Sequence, residues 1–391
     1  MYSPTQVAPK SRLLFFWLSF PEGICGSPLA CDTLKAVPSH TLEIRENVPL
    51  APLTTLQIGG PARFFAEART PDHIAEAVTW AKDHSLPLFL LGGGSNLLVP
   101  DTGYPGLVLQ MKISGIDHLG EGLFAVGAGE SWDTFVQHAI TANHAGIECL
   151  AGIPGSVGGT PVQNVGAYGQ EVSETIVAVH AFDREKQAHV IFDKQACNFR
   201  YRASLFNTDE PNRYIVHRVD FQLHPGGAPT LRYADLQKHF GSTATPTLAE
   251  VANAVRDIRR SKSMVIDPTD PNTRSAGSFF KNPIIPATQL PAIATAANLS
   301  TEKIPHWPAS ASGSDDPEAQ IKLPAAWLLE HSGFIKGYGT GPAGISTRHT
   351  LALVNRGQAT FADIEHLEAE IIHGVQQKFN ITLEREPVLL S

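Results

Sequence analysis

The sequence of 391 residues predicts a mixed α and β fold of two or three domains, organised around glycine-rich loops. The longer loop, residues 152–169, contains too many glycines and prolines for a helix or strand to run through it. A second loop, residues 92–96, directly follows an apolar segment that is typical of a buried strand. Loops with few side chains let backbone N–H groups approach a phosphate or a flat cofactor, which is the ligand type indicated here. A tight loop of packed glycines is the structural alternative.

A strand–helix–strand pattern precedes the shorter loop. Residues 64–68 are typical of a strand. The sequence Thr70-Pro71-Asp72 then predicts the start of a helix, with Pro71 in its first turn. A second strand at 86–91 leads into the loop, and this order is typical of a βαβ-type nucleotide-binding unit. The apolar residues at helical spacing, which predict the buried helix face, are Ile74, Ala77, Val78 and Ala81.

The rest of the chain continues to mix strands and helices. Thr247 with Glu250, and Thr360 with Asp363, have the spacing of residues that cap helix N-termini. Residues 226–229 are typical of a domain linker, and the low-complexity residues 308–318 predict an exposed loop. Strands are predicted at 107–111, 123–126, 176–182, 188–192, 214–223, 350–355 and 381–383, and helices at about 132–145 and 323–331.

Composition excludes several classes of protein. A net charge of -8 and a pI near 6.0 leave no broad basic face for a nucleic acid. Cys25, Cys31, Cys149 and Cys197 have no zinc-site spacing, so no metal is predicted, and such sparse cysteine suits a reducing cytoplasm. No stretch approaches the ~20 apolar residues of a membrane span. We therefore expect a cytoplasmic monomer with no nucleic-acid partner and no membrane span.

The N-terminus allows two interpretations. Lys10 and Arg12 precede a short apolar run at 13–20, and small residues then continue to Cys31. This order is similar to a signal peptide, or to a lipoprotein signal that ends at Cys31, although Pro28 stands where such a signal has an aliphatic residue. A disordered or wrongly started extension is the other interpretation, and the sequence leaves both open.

One motif is misleading. Residues 339–344 match G-x-G-x-x-G, the fingerprint of Rossmann dinucleotide-binding domains. That motif must open a helix, whereas Pro342 interrupts it and the following residues are typical of a turn and a strand. We therefore predict no Rossmann site there.

Five motifs occur in order along the chain: GGGSN at 92–96, IPGSVGG at 153–159, QNVGAYG at 163–169, YRASLF at 201–206 and GSFFKNP at 277–283. Together they resemble the UDP-N-acetylenolpyruvoylglucosamine reductase family of peptidoglycan synthesis, in the type whose tyrosine folds over the substrate. The resemblance extends from about residue 40 to residue 388.

The resemblance implies an α+β protein. It has a two-part FAD-binding domain of the vanillyl-alcohol-oxidase (PCMH) type and a C-terminal α/β substrate-binding domain. The implied divisions are an extension at 1–39, FAD-binding subdomains at 40–105 and 106–226, and a substrate-binding domain at 227–391 whose closing strand returns to the active site. The implied reaction uses NADPH and bound FAD to reduce UDP-N-acetyl-3-O-(1-carboxyvinyl)-glucosamine to UDP-N-acetylmuramate.

Three residues match the family's catalytic positions. Arg202 would hold the substrate carboxylate and stabilise the enolate, Ser278 would donate the proton, and Glu386 would assist as the acidic partner. Arg202 as an ordinary surface arginine and Ser278 as a turn cap are the structural alternatives. Glu384 competes with Glu386 because the two would share one face of a strand.

The resemblance also implies residues that bind the cofactor and the substrate. On the substrate side, Tyr233 would cover the sugar and Lys262 would meet a diphosphate oxygen, unless they are a half-buried strand aromatic and a solvated helix end. The further substrate-side residues are Tyr201, Asn282 and His349. The FAD-binding residues are Gly92, Gly93, Gly94, Ser95, Asn96, Gly152, Ile153, Pro154, Gly155, Gly158, Gly159, Asn164, Gly166, Ala167 and Tyr168.

Two rival functions remain at this point. A flavin oxidase of the same cofactor fold would act on a sugar or alcohol with oxygen and would not need Ser278 and Lys262 so placed. A nucleotide-sugar-binding protein without turnover would be colourless and would not take up FAD.

Overall fold

A computed structural model describes residues 41–241, 245–309 and 320–391. The predictions for the N-terminal run at 13–20, for Cys25 and Cys31, and for most of the 308–318 loop lie outside these residues. None of the helices in the three ranges is both long and apolar enough to cross a membrane. The same ranges hold no group of three or more His, Cys, Asp or Glu side chains suited to a metal ion.

The first sheet has four strands in the order β1-β2-β4-β3. Its strands are Arg45–Pro49 (β1), Pro61–Ala68 (β2), Leu88–Leu91 (β3) and Tyr104–Met111 (β4). β1 is antiparallel to β2, whereas β2 and β3 both lie parallel to β4. Because β4 pairs with β2 throughout, the division expected between residues 105 and 106 falls inside a strand of this sheet.

Helix α1, Pro71–Asp83, connects β2 to β3. Thr70 is its N-cap and accepts a hydrogen bond from the backbone N–H of His73, with Pro71 at the first position. Its buried residues include all four apolar positions that the spacing predicts, so the strand–helix–strand pattern is confirmed.

The second sheet is antiparallel, with five strands in the order β8-β7-β9-β6-β5. Its strands are Ile116–Gly120 (β5), Leu123–Gly127 (β6), Ile176–Asp183 (β7), Ala188–Asp193 (β8) and Tyr214–Gln222 (β9). Helix α2, Trp132–Thr141, follows β6 and is shorter than predicted. It ends because Asn143 takes a left-handed φ of 57° and His144–Ala145 pairs with His224–Pro225.

In the described residues after β9, helices contain most of the residues in regular elements, and the strands are short. The capping residues Thr247 and Thr360 each accept a backbone N–H bond and begin a helix, as predicted. Ala343–Ile345 forms a strand, so the G-x-G-x-x-G match opens no helix. The helices are Ala234–Phe240 (α3), Leu248–Ser261 (α4), Leu290–Ala297 (α5), Ala325–His331 (α6) and Phe361–Phe379 (α7). The strands are Ile284–Pro286 (β10), Trp307–Pro308 (β11), Gln320–Lys322 (β12), Ala343–Ile345 (β13) and Leu353–Asn355 (β14).

The hydrophobic core has parts that do not follow the expected domain limits. Leu236 of α3 and Val251 of α4 belong to the same buried cluster as Phe124 of β6 and Trp132 of α2. A separate cluster contains Phe279 and the apolar faces of α5, α6 and α7. The division between these clusters therefore lies well after residue 227, because α3 and α4 pack on the side of the two sheets.

The C-terminal segment is anchored differently from the prediction. Residues 381–383 form no strand, because Asn380 ends α7 in a left-handed conformation and Ile381 and Leu383 turn into the core. The closing strand is instead Val388–Leu389, parallel to Leu97–Leu98 beside the shorter glycine loop. Leu390, 1% exposed, packs with residues of the first sheet.

We expect Leu390→Ala to lower the free energy of unfolding by about 2–4 kcal/mol, because it leaves a cavity in this cluster. Leu389→Ala is the matched control: this neighbour is 36% exposed, so its truncation should cost less than about 1 kcal/mol. Urea unfolding curves of the two variants test the anchor. Equal losses of stability in both would show that Leu390 does not anchor the C-terminal segment.

Candidate active site

The two glycine loops touch each other, and only glycine permits the contact. A Cβ atom added to Gly93 would lie 2.7 Å from the Cα of Gly155, closer than real Cβ contacts. Gly155 itself has a φ of +131°, which a side chain would strain. The Ser95 hydroxyl donates a 3.0 Å hydrogen bond to the carbonyl of Pro154 and joins the loops directly.

The shorter loop presents free backbone donors. In the described part of the chain, the N–H groups of Gly93, Gly94, Ser95 and Asn96 donate to no other residue. Gly94 has a φ of +65°, and a Cβ there would lie 2.0 Å from the carbonyl oxygen of Leu53. Consecutive unpaired N–H groups on a bare loop fit the oxygens of a phosphate, as the sequence indicates.

The longer loop is held in place by contacts with Asp133 and Ala128. The N–H of Gly152 donates to Asp133 at 2.7 Å, and a Cβ on Gly158 would lie 2.5 Å from that of Ala128. A Cβ added to Gly92 would lie 2.8 Å from the Ser156 hydroxyl. A Cβ added to Gly159 would have that hydroxyl, at 4.0 Å, as its nearest neighbour among the described residues. Ile153 and Pro154 are half-buried between these positions.

Asn164 supports the loop from inside. It is 1% exposed, and its amide donates to the Glu171 carboxylate at 2.9 Å and to the Arg200 carbonyl at 3.1 Å. Its side-chain amide therefore bonds to the protein itself. It lies beside a turn in which Gly166–Ala167 pairs with Gln170–Glu171.

Asn96 joins three distant segments. Its Nδ2 donates to Oε1 of Gln163 at 2.9 Å and to the carbonyl of Glu386 at 3.3 Å. Its own carbonyl accepts the N–H of Val388 at 2.9 Å. Both glycine loops and the C-terminal segment are thereby held together at one residue.

Arg202 and Glu386 form an ion pair beside this junction. Nε of Arg202 lies 3.0 Å from Oε1 of Glu386, and the side chains are 23% and 15% exposed. Among the described residues, the Nε–H of Arg202 is not aligned for a hydrogen bond, although the ion pair holds Nε against the carboxylate. A second nitrogen of Arg202 donates to the Gly166 carbonyl at 3.2 Å. The residue has a φ of +54°, the kind of backbone strain that concentrates at functional sites.

Ser278 reaches the same place through backbone pairing. The carbonyl of its neighbour Phe279 accepts the N–H of Glu386 at 2.9 Å, and Phe280 forms an antiparallel bridge with Arg385. The side chain of Ser278 is half-buried, and in the described ranges its hydroxyl makes no hydrogen bond. The structure thus brings Ser278 to the segment that carries Glu386, with a free hydroxyl.

The two competing carboxylates differ in burial. Glu384 is 75% exposed and lies 3.4 Å from Lys281, whereas Glu386 is enclosed beside Arg202. Burial raises the pKa of Glu386, although the positive charges of Arg202 and Lys281 act in the opposite direction. This geometry favours Glu386 as the acidic group of the site.

Cations gather on the substrate side. Burial, together with the positive charges of Lys262, Lys336 and Arg259, lowers the pKa of His349 to about 4. Lys262 ends α4 and is 37% exposed, with its Nζ 3.7 Å from Oδ2 of Asp235. A neutral imidazole among three cations suits a doubly charged anion.

Two further predicted residues lie beside these groups. Tyr233 stands at the N-cap of α3, not in a strand, and its ring makes an edge-to-face contact with Tyr168 at 5.1 Å. Tyr201 lies beside Asn282, whose Oδ1 accepts the N–H of Ala325 at the start of α6. Tyr233 is thus joined to the longer glycine loop through Tyr168, and Tyr201 directly precedes Arg202 in the chain.

Sequence reasoning missed three cations of this site. Lys322 lies with its Nζ 3.4 Å from the centroid of the Tyr201 ring. Buried Arg259 donates to the carbonyls of Gly152 and Met264 and lies beside Tyr168. The positive charge of Lys336 lowers the pKa of His349. Only Arg259 carried a signal, as one of several cations near the end of α4; Lys322 and Lys336 stand in no motif.

Comparison with known proteins agrees with this geometry. Residues 62–187 match the FAD binding domain model, and residues 267–390 match the model for UDP-N-acetylenolpyruvoylglucosamine reductase, C-terminal domain. The protein of that name from Streptomyces coelicolor is 46% identical over 365 residues, 91% of this chain and 93% of that protein. The one from Thermobifida fusca is 44% identical and covers 90% of this chain and 99% of its own length.

A solved structure extends the comparison to the fold. The UDP-N-acetylenolpyruvylglucosamine reductase (MurB) of Thermus caldophilus superposes with a TM-score of 0.61 at 26% identity, over 90% of this chain and all of that one. The fold is therefore the predicted one, with an FAD-binding domain of the PCMH type followed by a C-terminal substrate-binding domain.

The fold and the site define an FAD-dependent oxidoreductase. The free N–H groups of the shorter loop and the bare contact between the loops fit the pyrophosphate and the flat ring of that cofactor. The chain belongs to the UDP-N-acetylenolpyruvoylglucosamine reductase family.

We expect Gly93→Ala to weaken FAD binding by at least about tenfold, because the added Cβ forces the two loops apart at the cofactor. Gly341→Ala is the matched control, since a Cβ there meets no atom within 4 Å. Titration of apoprotein with FAD, followed by flavin fluorescence, gives both affinities. Unchanged affinity in Gly93→Ala would contradict the placement of the cofactor at the loop contact.

Proposed function

We propose that this chain catalyses the NADPH-dependent reduction of UDP-N-acetyl-3-O-(1-carboxyvinyl)-glucosamine to UDP-N-acetylmuramate, a step of peptidoglycan precursor synthesis in the cytoplasm. The observation that carries the proposal is the partly buried Arg202–Glu386 pair, held by Asn96 at the glycine loops and backbone-paired to the segment of Ser278. The names of the relatives support the same substrate.

Arg202 is the group that meets the substrate carboxylate. Bound FAD would supply the hydride transfer from NADPH to the terminal carbon of the enolpyruvyl group. Negative charge then develops beside the carboxylate, where a planar guanidinium can hold two oxygens at once. In the described ranges, the terminal nitrogens of Arg202 make one hydrogen bond, to the Gly166 carbonyl, which leaves N–H groups for the substrate carboxylate.

Ser278 and Glu386 supply the proton to the adjacent carbon. The hydroxyl of Ser278 makes no hydrogen bond in the described ranges, so it is free to donate to a substrate. A serine hydroxyl is a weak acid and needs a partner that restores its proton. Because burial raises the pKa of Glu386, its protonated form persists to higher pH, and this form can hand a proton on.

The cations around His349 hold the diphosphate of the UDP group. Lys262, Lys336 and Arg259 all act on this imidazole, and a diphosphate would compensate their charge. The half-exposed ring of Tyr233 stands near this end of the site and covers the sugar. The substrate of an oxidase that acts on a simple sugar or alcohol carries no anionic group, so that enzyme would not need these cations around His349.

We expect Ser278→Ala to slow reduction of the enolpyruvyl substrate by about 10²–10⁴-fold while flavin reduction by NADPH stays within about twofold. Ser332→Ala is the matched control, because its hydroxyl also makes no hydrogen bond to any described residue but lies at the end of α6. Stopped-flow absorbance separates the two half-reactions. Equal loss in both half-reactions of Ser278→Ala would contradict proton donation.

We expect Glu386→Gln to slow the same second half-reaction by about 10²–10³-fold, and Glu384→Gln to leave it nearly unchanged. In the unmodified protein the rate should fall as the pH rises through the raised pKa of Glu386, since the protonated form is the donor. That descending limb should be absent from Glu386→Gln. A pH–rate profile with the limb intact in Glu386→Gln, or lost in Glu384→Gln, would assign the acid elsewhere.

A further inference from the structure

Lys322 is a cation of the site that the reaction scheme above does not use. It ends β12, the central strand of the small sheet, and pairs in register with Ile284 on one side and Trp307 on the other. The preceding residue, Ile321, is buried in the core, so the alternation of the strand turns Lys322 away from the core. The next residue, Leu323, donates its N–H to Pro283 at 3.0 Å, which ties this strand to the GSFFKNP motif.

The side chain of Lys322 shares an aromatic ring with Arg202. Its Nζ lies 3.4 Å from the centroid of Tyr201, and the Cζ of Arg202 lies 5.4 Å from the same centroid. An ammonium this close to a ring is held by the electrons of the ring face. The hydroxyl end of Tyr201 is fixed in turn beside Asn282. Tyr201 therefore keeps two cations at one place.

Lys322 has no ion-pair partner there. In the ranges 41–241, 245–309 and 320–391, no carboxylate lies within ion-pair distance of its Nζ. Glu171 exerts an attractive charge on it, but its Oε2 already accepts the amide of Asn164 at 2.9 Å. Burial lowers the pKa of Lys322, and the positive charge of Arg202 lowers it further, so an anion placed between them would be favourable to both.

We propose that Lys322 is a second binding group for the carboxylate of the substrate's enolpyruvyl arm, held toward it by the ring of Tyr201 and acting together with Arg202. The inference rests on the function proposed above and adds a residue to it. Arg202 contributes a planar fork and Lys322 a point charge, so the two can contact different oxygens of one carboxylate. Two cations also neutralise the charge that develops beside the carboxylate during reduction.

The test compares two ligands that differ in this carboxylate. The product UDP-N-acetylmuramate carries a carboxylate on its lactyl arm, whereas UDP-N-acetylglucosamine has neither arm nor carboxylate. Calorimetry on the FAD-loaded protein gives the dissociation constant of each. Lys378→Met is the matched control, since Lys378 also lies over an aromatic ring, at 5.6 Å from the centroid of Phe379, but at the end of α7.

We expect Lys322→Met to weaken binding of UDP-N-acetylmuramate by about 10- to 100-fold, the loss expected for one hydrogen bond to a charged group, and to leave UDP-N-acetylglucosamine within about twofold. Lys322→Arg should restore most of the loss, and flavin content should match that of Lys378→Met.

Two outcomes would overturn the inference. One is unchanged affinity for UDP-N-acetylmuramate in Lys322→Met, and the other is an equal loss for both ligands, which would indicate a structural role. These results differ from failure of the proposed function itself, in which the unmodified protein would bind neither ligand and would not oxidise NADPH with the enolpyruvyl substrate.

Discussion

The hydrogen bonds of Asn96 are the constraint on which the site depends. One amide group meets Gln163 of the longer glycine loop and the backbone of Glu386, residues separated by most of the chain. Its carbonyl then fixes Val388, so the C-terminal segment cannot leave without breaking the junction. Because each of these groups is partly or fully buried, an unpaired member would cost about 1–3 kcal/mol. The two glycine loops and Glu386, the acid of the proposed second half-reaction, are therefore positioned by the same contact.

The site is maintained against local preference, and the surrounding packing makes this possible. Tyr168 and Arg202 both have left-handed backbone conformations, each of which costs roughly 1–2 kcal/mol for a residue with a side chain. Glu386 is only 15% exposed, and Lys322 is partly desolvated with no carboxylate at ion-pair distance in the described ranges. The large apolar clusters on either side offset these costs. In the proposed function, an anionic substrate and a phosphate-bearing cofactor would bind beside these charged groups.

The sequence predicted the local elements well where the signal was itself local. The caps at Thr70, Thr247 and Thr360 begin helices as expected, because each threonine hydroxyl accepts the backbone N–H three residues further on. The glycine loops could also be identified, because close backbone contact requires glycine. The strand expected at 381–383 was wrong, since its apolar residues fill a core that α7 creates, and strand pairing passes to Val388–Leu389. Lys322 and Lys336 could not be found, because the ring that Lys322 faces and the histidine on which the charge of Lys336 acts lie outside their local sequence.

In the proposed mechanism, backbone amides of the shorter glycine loop bind the cofactor, and Arg202 and Ser278 contact the substrate on the reactive side of the flavin. A crystal structure of the FAD-loaded protein with UDP-N-acetylmuramate measures this directly. We predict pyrophosphate oxygens about 2.7–3.2 Å from the N–H groups of residues 93–96, and the ligand's lactyl arm between Arg202 and Ser278. A pyrophosphate bound away from that loop, or Arg202 and Ser278 on opposite sides of the flavin ring, would contradict the account.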